Sequence, residues 1–349
     1  MTSYERVINS LKKKLTDRVP VVPEVFGVTA KLCDYSLYDY VTDASKLAES
    51  QLRAREVIGH DMVFAFADLA VESEAIGCEM IYKEDTYPAV KQPLIKNTGD
   101  LETLALPNPL KDGRMPVVIE ASSRLRDAVG DTCIVAACVM GPLSIAGQIM
   151  GIENLLYQLV DTPDAVEKVL DFTEEVTRRY GKALLQAGAH CHILFDPVAS
   201  PMVVPQEIFL RLELPRLKKL FKEFKQEGSL ICWLSIAGNT RKILPYYRDA
   251  DVELATVDYT VSLSDACKLV GDLAVNGNLM PFSFVSHSPE KIKDTAKMCI
   301  RETANKRDYL LGSGCEIPVE ASIEGIKALV EASHELSYSG NTTDERKKN

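Results

Sequence analysis

Acidic and polar residues recur in this sequence directly after short apolar runs. Glu24, Asp196 and Asp258 are examples. Carboxyl groups at such positions could transfer protons or hold a substrate by hydrogen bonds. An acidic residue after a strand also commonly caps the following helix, so each residue taken singly has a structural explanation. The residues in such positions are Glu24, Asp68, Asp196, Ser235, Asn239, Asp258, Asn278 and Cys315.

The apolar runs are short and nearly continuous, and longer amphipathic stretches separate them. Such runs are typical of parallel strands covered on both faces, and their alternation with helices predicts βαβ units. The predicted strands are Val21–Val25, Met62–Phe66, Ile134–Val139, His192–Phe195, Leu230–Ile236, Leu254–Val257, Leu273–Val275 and Tyr309–Leu311. The predicted helices are an amphipathic first helix, then Ala44–Ile58, Pro116–Val129, Ala165–Gln186, Gln206–Glu227, Thr240–Arg248, Leu263–Val270, Pro289–Thr303 and Ile323–His334.

The number of strand–helix pairs predicts a (β/α)8 TIM-type barrel that forms a single domain over residues 1–336. No Gly/Ser-rich linker divides the chain, and no GxGxxG follows the first strand, which disfavours a doubly wound nucleotide-binding sheet. Turn residues over 72–115 predict an inserted hairpin and loops near the barrel mouth. Residues 337–349 are polar and predict a disordered tail. In such a barrel the strand-end residues converge on one face.

Charge and cysteine usage narrow the classes of function. The 349 residues carry a formal net charge of −10, which disfavours nucleic-acid binding. No apolar run reaches the roughly 18 residues of a spanning helix, and the N-terminus lacks the apolar core of a secretory signal. The nine cysteines are scattered and form no CxxC pair. This usage predicts reduced thiols in a cytoplasmic protein without a membrane segment.

Five segments in order carry a resemblance to a known family. Three are the stronger ones: LFDPVAS at 194–200, SIAGNT at 235–240 and GSGCEIP at 312–318. Weaker support comes from 71–79 and from GPLSIAG at 141–147. Together they resemble the uroporphyrinogen decarboxylase superfamily on its corrinoid-dependent methyltransferase side. The similarity spans about residue 5 to residue 336, and it implies a barrel enzyme.

The resemblance also bears on chemistry. Uroporphyrinogen decarboxylases carry an arginine-bearing segment near the N-terminus that holds the substrate's carboxylates. The corresponding stretch here, residues 23–31, has no arginine and one acidic residue. A substrate with many carboxylates would find little cationic complement. The methyltransferase branch includes methylcobamide:coenzyme M methyltransferases, in which a His-x-Cys pair and a later Cys hold a zinc ion that activates the acceptor thiol.

This sequence departs from that zinc pattern. Ser235 stands at the His position, Ala237 stands at the first Cys position, and Cys315 alone matches. Catalytic zinc normally has three protein ligands, so Cys315 is a metal ligand only if the set is rearranged, and zinc stays open. His192 and Cys232 are interpreted as core residues: Cys232 should face the helices, and His192 should lie deep if Asp196 points into the barrel.

Without zinc, the chain would position a methyl donor and stabilise its leaving oxygen. The resemblance and the strand-end positions assign catalytic roles to Asp196, Ser235, Asn239 and Cys315, and substrate binding to Glu24, Glu72, Asp258, Tyr259 and Asn278. The leading hypothesis is methyl transfer between a small methylated substrate, such as an aryl methyl ether, and the cobalt of a corrinoid (cobalamin) carried by a partner protein, since no DxHxxG-type signature occurs here. The alternatives are a methylcorrinoid:thiol methyltransferase with rearranged zinc, a non-catalytic binding relative and a decarboxylase.

Overall fold

The computed structural model describes residues 1–304 and 306–337. Of the predicted tail, residues 338–349 lie outside this part of the chain. The strands are β1 (Met62–Ala65), β2 (Met80–Lys83), β3 (Thr86–Val90), β4 (Ile134–Met140), β5 (Cys191–Phe195), β6 (Cys232–Ser235), β7 (Leu254–Val257), β8 (Ala274–Leu279) and β9 (Tyr309–Ser313). Within the described residues, seven of them form one curled parallel sheet in the order β1-β4-β5-β6-β7-β8-β9, and β2 pairs with β3 in an antiparallel hairpin.

Helices connect the parallel strands and cover the convex face of the sheet. The α-helices are α1 (Ser3–Leu11), α2 (Leu37–Thr42), α3 (Ala44–Ile58), α4 (Val71–Ile76), α5 (Met115–Val129), α6 (Pro142–Met150), α7 (Ile152–Asp161), α8 (Pro163–Gln186), α9 (Gln206–Ile208), α10 (Leu214–Gln226), α11 (Leu263–Val270), α12 (Ser283–Ser286), α13 (Pro289–Glu302) and α14 (Ile323–Glu335). Short 3₁₀ helices are Gly27–Cys33, Thr98–Thr103, Pro197–Ala199 and Leu244–Ala250, and Phe209–Glu213 forms a π turn. No helix of the described part is long and apolar enough to cross a membrane.

The parallel α/β prediction is confirmed, because every residue of β4, β5 and β6 is buried, as strands covered on both faces require. The predicted first strand, Val21–Val25, is wrong. Only Val21 forms a bridge, a parallel one to Leu311 of β9. Pro23 has no N–H to donate, and the chain turns there, with the Val25 N–H bonded to the Pro23 carbonyl.

The segment before Pro23 lies between the two edges of the curled sheet. The Val22 N–H donates to the carbonyl of Leu311 at 2.7 Å, and the Asp61 N–H donates to the carbonyl of Val21 at 2.8 Å. The Asp61 carboxylate, in turn, accepts hydrogen bonds from Arg6 at 2.7 Å and from Arg18 at 2.8 Å. These buried contacts hold the N-terminal segment beside both β9 and the start of β1.

Two helix predictions need correction. The predicted helix Gln206–Glu227 is divided into α9, the π turn and α10, because Pro215 has no N–H for the regular helical ladder. The predicted helix Thr240–Arg248 is the 3₁₀ helix Leu244–Ala250, which contains Pro245. The structure adds α6, a helix without a helical hydrophobic pattern, because eight of its nine residues are buried.

Candidate active site

Glu24 lies at the centre of the concave face, near the carboxyl ends of the strands, an edge called the mouth below. Its side chain is completely buried. The hydroxyl of Thr256 on β7 donates to Glu24 Oε1 at 3.2 Å, and the hydroxyl of Ser235 on β6 does so at 3.4 Å. The Trp233 indole N–H, one layer deeper, donates to Thr256 Oγ1 at 2.9 Å. Alternate residues of β6 and β7 thus build a polar floor around one carboxyl group.

The pKa of Glu24 is raised to about 8, mainly because the carboxyl group is buried and in part because of the carboxylates of Glu316 and Asp258. The hydrogen bonds from Thr256 and Ser235 oppose this effect without cancelling it. Both hydroxyls donate to Oε1, and Oε2 has no hydrogen-bond partner among the described residues. A carboxyl group with this pKa is mostly protonated at neutral pH, so Glu24 can act as an acid.

Aromatic side chains line another part of the mouth, beside the polar floor. The Phe26 ring contacts Phe66 at 4.5 Å, Phe64 at 5.3 Å and Phe195 at 6.0 Å between centroids. All four side chains are buried, and the edge-to-face arrangement favours a rigid wall. The mouth thus combines a polar floor with an apolar wall, as sites for small organic ligands commonly do.

The β2–β3 hairpin reaches the mouth through Tyr87. Its hydroxyl accepts the Gly27 N–H at 2.8 Å and donates to Glu316 Oε1 at 2.5 Å. A Cβ at Gly27 would lie 2.5 Å from both Leu37 and Tyr87, so only glycine fits there. Burial raises the pKa of Glu316 to about 7. This second carboxyl group follows Cys315 directly in the loop after β9.

Glu72 and Arg114 occupy the β1 and β4 side of the site. Glu72 accepts the Met140 N–H at 2.8 Å, and burial raises the pKa of its carboxyl to about 7. Arg114 is buried and pairs with Asp68 and, at 2.6 Å, with Glu74. Its charge is balanced by these two carboxylates, so Arg114 offers no unpaired cation to a ligand.

Asp258 and Asn278 shape the loops of the mouth. Asp258 accepts the Gly238 N–H at 2.9 Å and the Thr260 N–H at 2.8 Å, while Asn278 donates to the Val261 carbonyl at 2.7 Å. Gly238 has φ +86°, a conformation that favours glycine. Both predicted substrate-binding residues therefore use their side chains to fix backbone.

Asn239 and Tyr259, by contrast, are exposed at the rim of the mouth. Tyr259 retains 47% of its surface, and Asn239 lies in the loop after β6. Their side chains remain available to a ligand or a partner. Among the predicted site residues, Glu24 and Ser235 thus contact each other inside the mouth. Asp258 and Asn278 hold its loops, and Asn239 and Tyr259 lie at its rim.

Asp196 does not point into the mouth, and the assumption that it does is wrong. The side chain of Phe195, the last residue of β5, points to the concave face, so the next side chain points away from that face. Asp196 is fully buried and accepts a hydrogen bond from Ser144 of α6 at 2.5 Å. A Cβ at Gly141 would collide with it. Asp196 thus positions the loop and does not reach a substrate in the mouth.

Glu213 in the π turn is the buried partner of Asp196, and the sequence interpretation did not include it. Burial raises the pKa of Glu213 well above its usual range, and the adjacent Asp196 raises it further. Neither Glu213 oxygen has another hydrogen-bond partner. A carboxyl pair of this kind is stable when it holds one proton in common. The signal in the sequence was an acidic residue at an apolar helix position just before Pro215.

The residues present do not fit the zinc site of the coenzyme M enzymes. Ser235 contacts Glu24, Ala237 offers no ligand, and burial raises the pKa of the Cys315 thiol to about 12. Among the described residues, no group of three or more His, Cys, Asp or Glu side chains could hold a metal ion. His192 binds the Gly181 carbonyl at 2.8 Å and Cys232 contacts the Phe221 carbonyl, so both face the helices.

Comparisons with known proteins agree with this architecture. The family model described as "Uroporphyrinogen decarboxylase (URO-D)" matches residues 2–336. The chain is 26% identical to the methylated-thiol–coenzyme M methyltransferase of Methanosarcina mazei over 96% of this chain and 90% of the relative. It is 28% identical to the methylcobamide:CoM methyltransferase MtbA of Methanosarcina acetivorans over 97% of this chain and 100% of the relative.

A solved structure of a methyltransferase has a similar fold. A methyltransferase from Methanosarcina mazei superposes with a TM-score of 0.87 at 27% identity, covering 96% of this chain and 99% of that one. The motifs at 194–200, 235–240 and 312–318 thus carried a correct resemblance, on its methyltransferase side. The chain belongs to the uroporphyrinogen decarboxylase family.

Proposed function

We propose that this chain is a corrinoid-dependent methyltransferase that takes a methyl group from a small methylated substrate, such as an aryl methyl ether. The observation that carries the proposal is Glu24, a buried acid held by Ser235 where zinc-binding relatives of the family have a histidine. A protonated acid suits a reaction that creates an oxyanion, whereas thiol activation needs a group that removes a proton.

The partner in this proposal is a corrinoid protein that docks at the mouth. The corrinoid would supply a reduced cobalt centre that receives the methyl group. The bond between the methyl carbon and the ether oxygen breaks, its electron pair stays on the oxygen, and Glu24 gives that oxygen a proton. Glu24 is left as a carboxylate and regains its proton from solvent. The aromatic wall of Phe26, Phe66 and Phe195 would hold the apolar part of the donor.

The finer architecture belongs to the same proposal. We place Pro20–Val22 as the eighth position of a (β/α)8 barrel, since its backbone bonds to Leu311 on one side and to Asp61 on the other. The β2–β3 hairpin would be an insertion at the mouth, held there by Tyr87. A closed barrel explains why Glu24, which precedes β1, shares hydrogen bonds with residues of β6 and β7.

Methyl transfer from a corrinoid to a thiol is the second candidate, which the names of the relatives favour. It requires a site that lowers the pKa of a thiol. Cys315 has a raised pKa, and Ala237 cannot bind a metal. A thiol reaction would therefore need zinc held by ligands rearranged around Cys315, and elemental analysis of the purified protein tests this.

An anaerobic assay tests the leading proposal directly. Enzyme, cob(I)alamin and a panel of methoxyphenols are mixed, and the absorbance of methylcobalamin is followed over time. We expect formation that is proportional to enzyme concentration with at least one donor. Absence of methyl transfer across the panel, together with transfer from methylcobalamin to a thiol, would replace this proposal with the second candidate.

A further inference from the structure

The segments that follow the strands around the mouth are strongly acidic. They cover residues 23–33, 66–76, 141–151, 196–205, 236–243, 258–262, 280–288 and 314–322. Their acidic members are Glu24, Asp68, Glu72, Glu74, Asp196, Asp258, Glu316 and Glu320. Their basic members are Lys31, Arg241 and Lys242, with His287 as the one histidine. Asp196 faces α6 and not the mouth, so the charge that a ligand meets is set by the other carboxyl groups of these segments.

None of the basic residues of these segments is buried in the mouth. Arg241 retains 57% of its side-chain surface and pairs with Asp265 of α11. Lys242 is exposed. Lys31 is an exposed residue of the Gly27–Cys33 helix and interacts electrostatically with Glu320. Arg114 reaches the site from α5, but Asp68 and Glu74 balance its charge.

In contrast, Glu24 and Glu72 are buried at the mouth, and Glu316 is partly buried there. None of the three forms an ion pair with a cation among the described residues. Buried carboxyl groups without a counterion stay neutral by keeping protons. A cationic ligand would supply the missing counterion. An anionic ligand would have to be desolvated beside these groups, with no arginine fork to receive it.

We propose that the mouth accepts uncharged or cationic methyl donors and rejects donors that carry a carboxylate, sulfonate or phosphate. The inference rests on the proposed function and narrows its substrate class. It also separates this chain from relatives whose names include coenzyme M, a thiol that bears a sulfonate. The aromatic wall adds to the preference, because ring faces attract cations and receive apolar groups.

Three methoxyphenols that differ only at the position para to the hydroxyl test the charge preference. They are 2-methoxy-4-methylphenol, which is neutral, 4-(aminomethyl)-2-methoxyphenol, which is cationic, and 4-hydroxy-3-methoxybenzoate, which is anionic. Calorimetry at pH 8 measures their dissociation constants with the full-length enzyme, and the methylcobalamin assay measures kcat/KM. We expect the neutral and cationic compounds to exceed the anionic one at least tenfold in both measurements.

Two matched variants test whether the charge preference arises at the mouth. Glu316→Gln removes one carboxyl group that is mostly ionised at the pH 8 of the assay, because its pKa is about 7. We expect this variant to narrow the ratio of neutral to anionic affinity at least threefold. Glu331→Gln removes the same charge on the exposed face of α14, where it pairs with Lys293, and should leave the ratio unchanged. Because the readout is a ratio, a general loss of activity in Glu316→Gln does not affect it.

The binding measurement tests the charge inference, and the turnover measurement tests the proposed reaction. Anionic binding within twofold of neutral binding, or stronger than it, overturns the charge inference even if methyl transfer is observed. Binding in the expected order without any methyl transfer supports the charge inference and refutes the proposed reaction. Equal narrowing of the ratio in both variants would also overturn the inference, because the effect would then not arise at the mouth.

Discussion

Replacing Glu24 with glutamine removes the acidic proton of the site and keeps the shape of the side chain. The amide oxygen can still accept the hydrogen bonds of Ser235 and Thr256, so the polar floor is preserved. What is lost is the acidic proton of the carboxyl group. Proton transfer by a positioned side chain typically contributes about 10²–10⁴-fold to a rate. We therefore expect kcat for an aryl methyl ether to fall by about that factor.

The pH dependence of the native enzyme gives the second measurement. With a pKa of about 8, Glu24 is about nine-tenths protonated at pH 7 and about one-tenth protonated at pH 9. Methylcobalamin formation should thus be constant between pH 6 and 7 and fall with unit slope above about pH 8. A native profile without this basic limb, or a Glu24→Gln enzyme with native kcat at pH 7, would refute the assignment of Glu24 as the acid.

Stability provides an internal control for the same variant. The folded state keeps a proton on Glu24 between its usual pKa of 4.5 and about 8, while the unfolded chain releases it. The free energy of unfolding therefore decreases as pH rises through this window, by up to about 5 kcal/mol. Glutamine has no such penalty, so the Tm gain of Glu24→Gln should be larger at pH 8 than at pH 5. A variant that is inactive and also less stable at pH 8 would contradict this account.

Two further predictions concern the buried pair and the metal site. Glu213→Gln keeps a donor for Asp196 and should flatten the fall of Tm that the raised pKa values of the pair cause as pH rises above the usual range of carboxyl groups. Glu213→Leu leaves Asp196 without that partner and should cost about 1–3 kcal/mol in urea unfolding at pH 7. Equal behaviour of the two variants would show that the pair shares no proton. Ser235→His combined with Ala237→Cys supplies the two residues of the family's zinc pattern that this chain lacks beside Cys315, and elemental analysis should find about one zinc ion per chain in the double variant and far less in the native protein. Stoichiometric zinc in the native protein would instead support the thiol reaction.

The sequence was sufficient to predict parallel strands that alternate with helices, because apolar runs and amphipathic helices have different periods. The runs around Ile134, His192 and Leu254 became β4, β5 and β7 with small changes at the ends. Boundaries moved where proline interrupts a hydrogen-bond ladder, at Pro23 and Pro215. A helix that is buried on nearly all sides, such as α6, has no polar face to reveal its period.

The site was predictable in part. Strand-end positions predicted that Glu24 and Ser235 lie on one face, and the two side chains are in contact, because parallel strands bring their carboxyl ends to one edge. Successive residues of a strand point to opposite faces of the sheet, and the sequence does not show which face Asp196 takes. In the structure its side chain faces α6. Tyr87 and Glu316 meet across 229 residues of chain. No local pattern encodes a contact of that range.

The short segment at Pro20–Val22 has a consequence for the order of events during synthesis. Its hydrogen-bond partner on β9 leaves the ribosome only when most of the chain has been made, and Glu24 likewise waits for Ser313, 289 residues later. Until then the sheet lacks β9 and its last edge is unpaired, and such edges invite association with other chains. A nascent or truncated chain that ends before β9 therefore lacks the complete setting of Glu24.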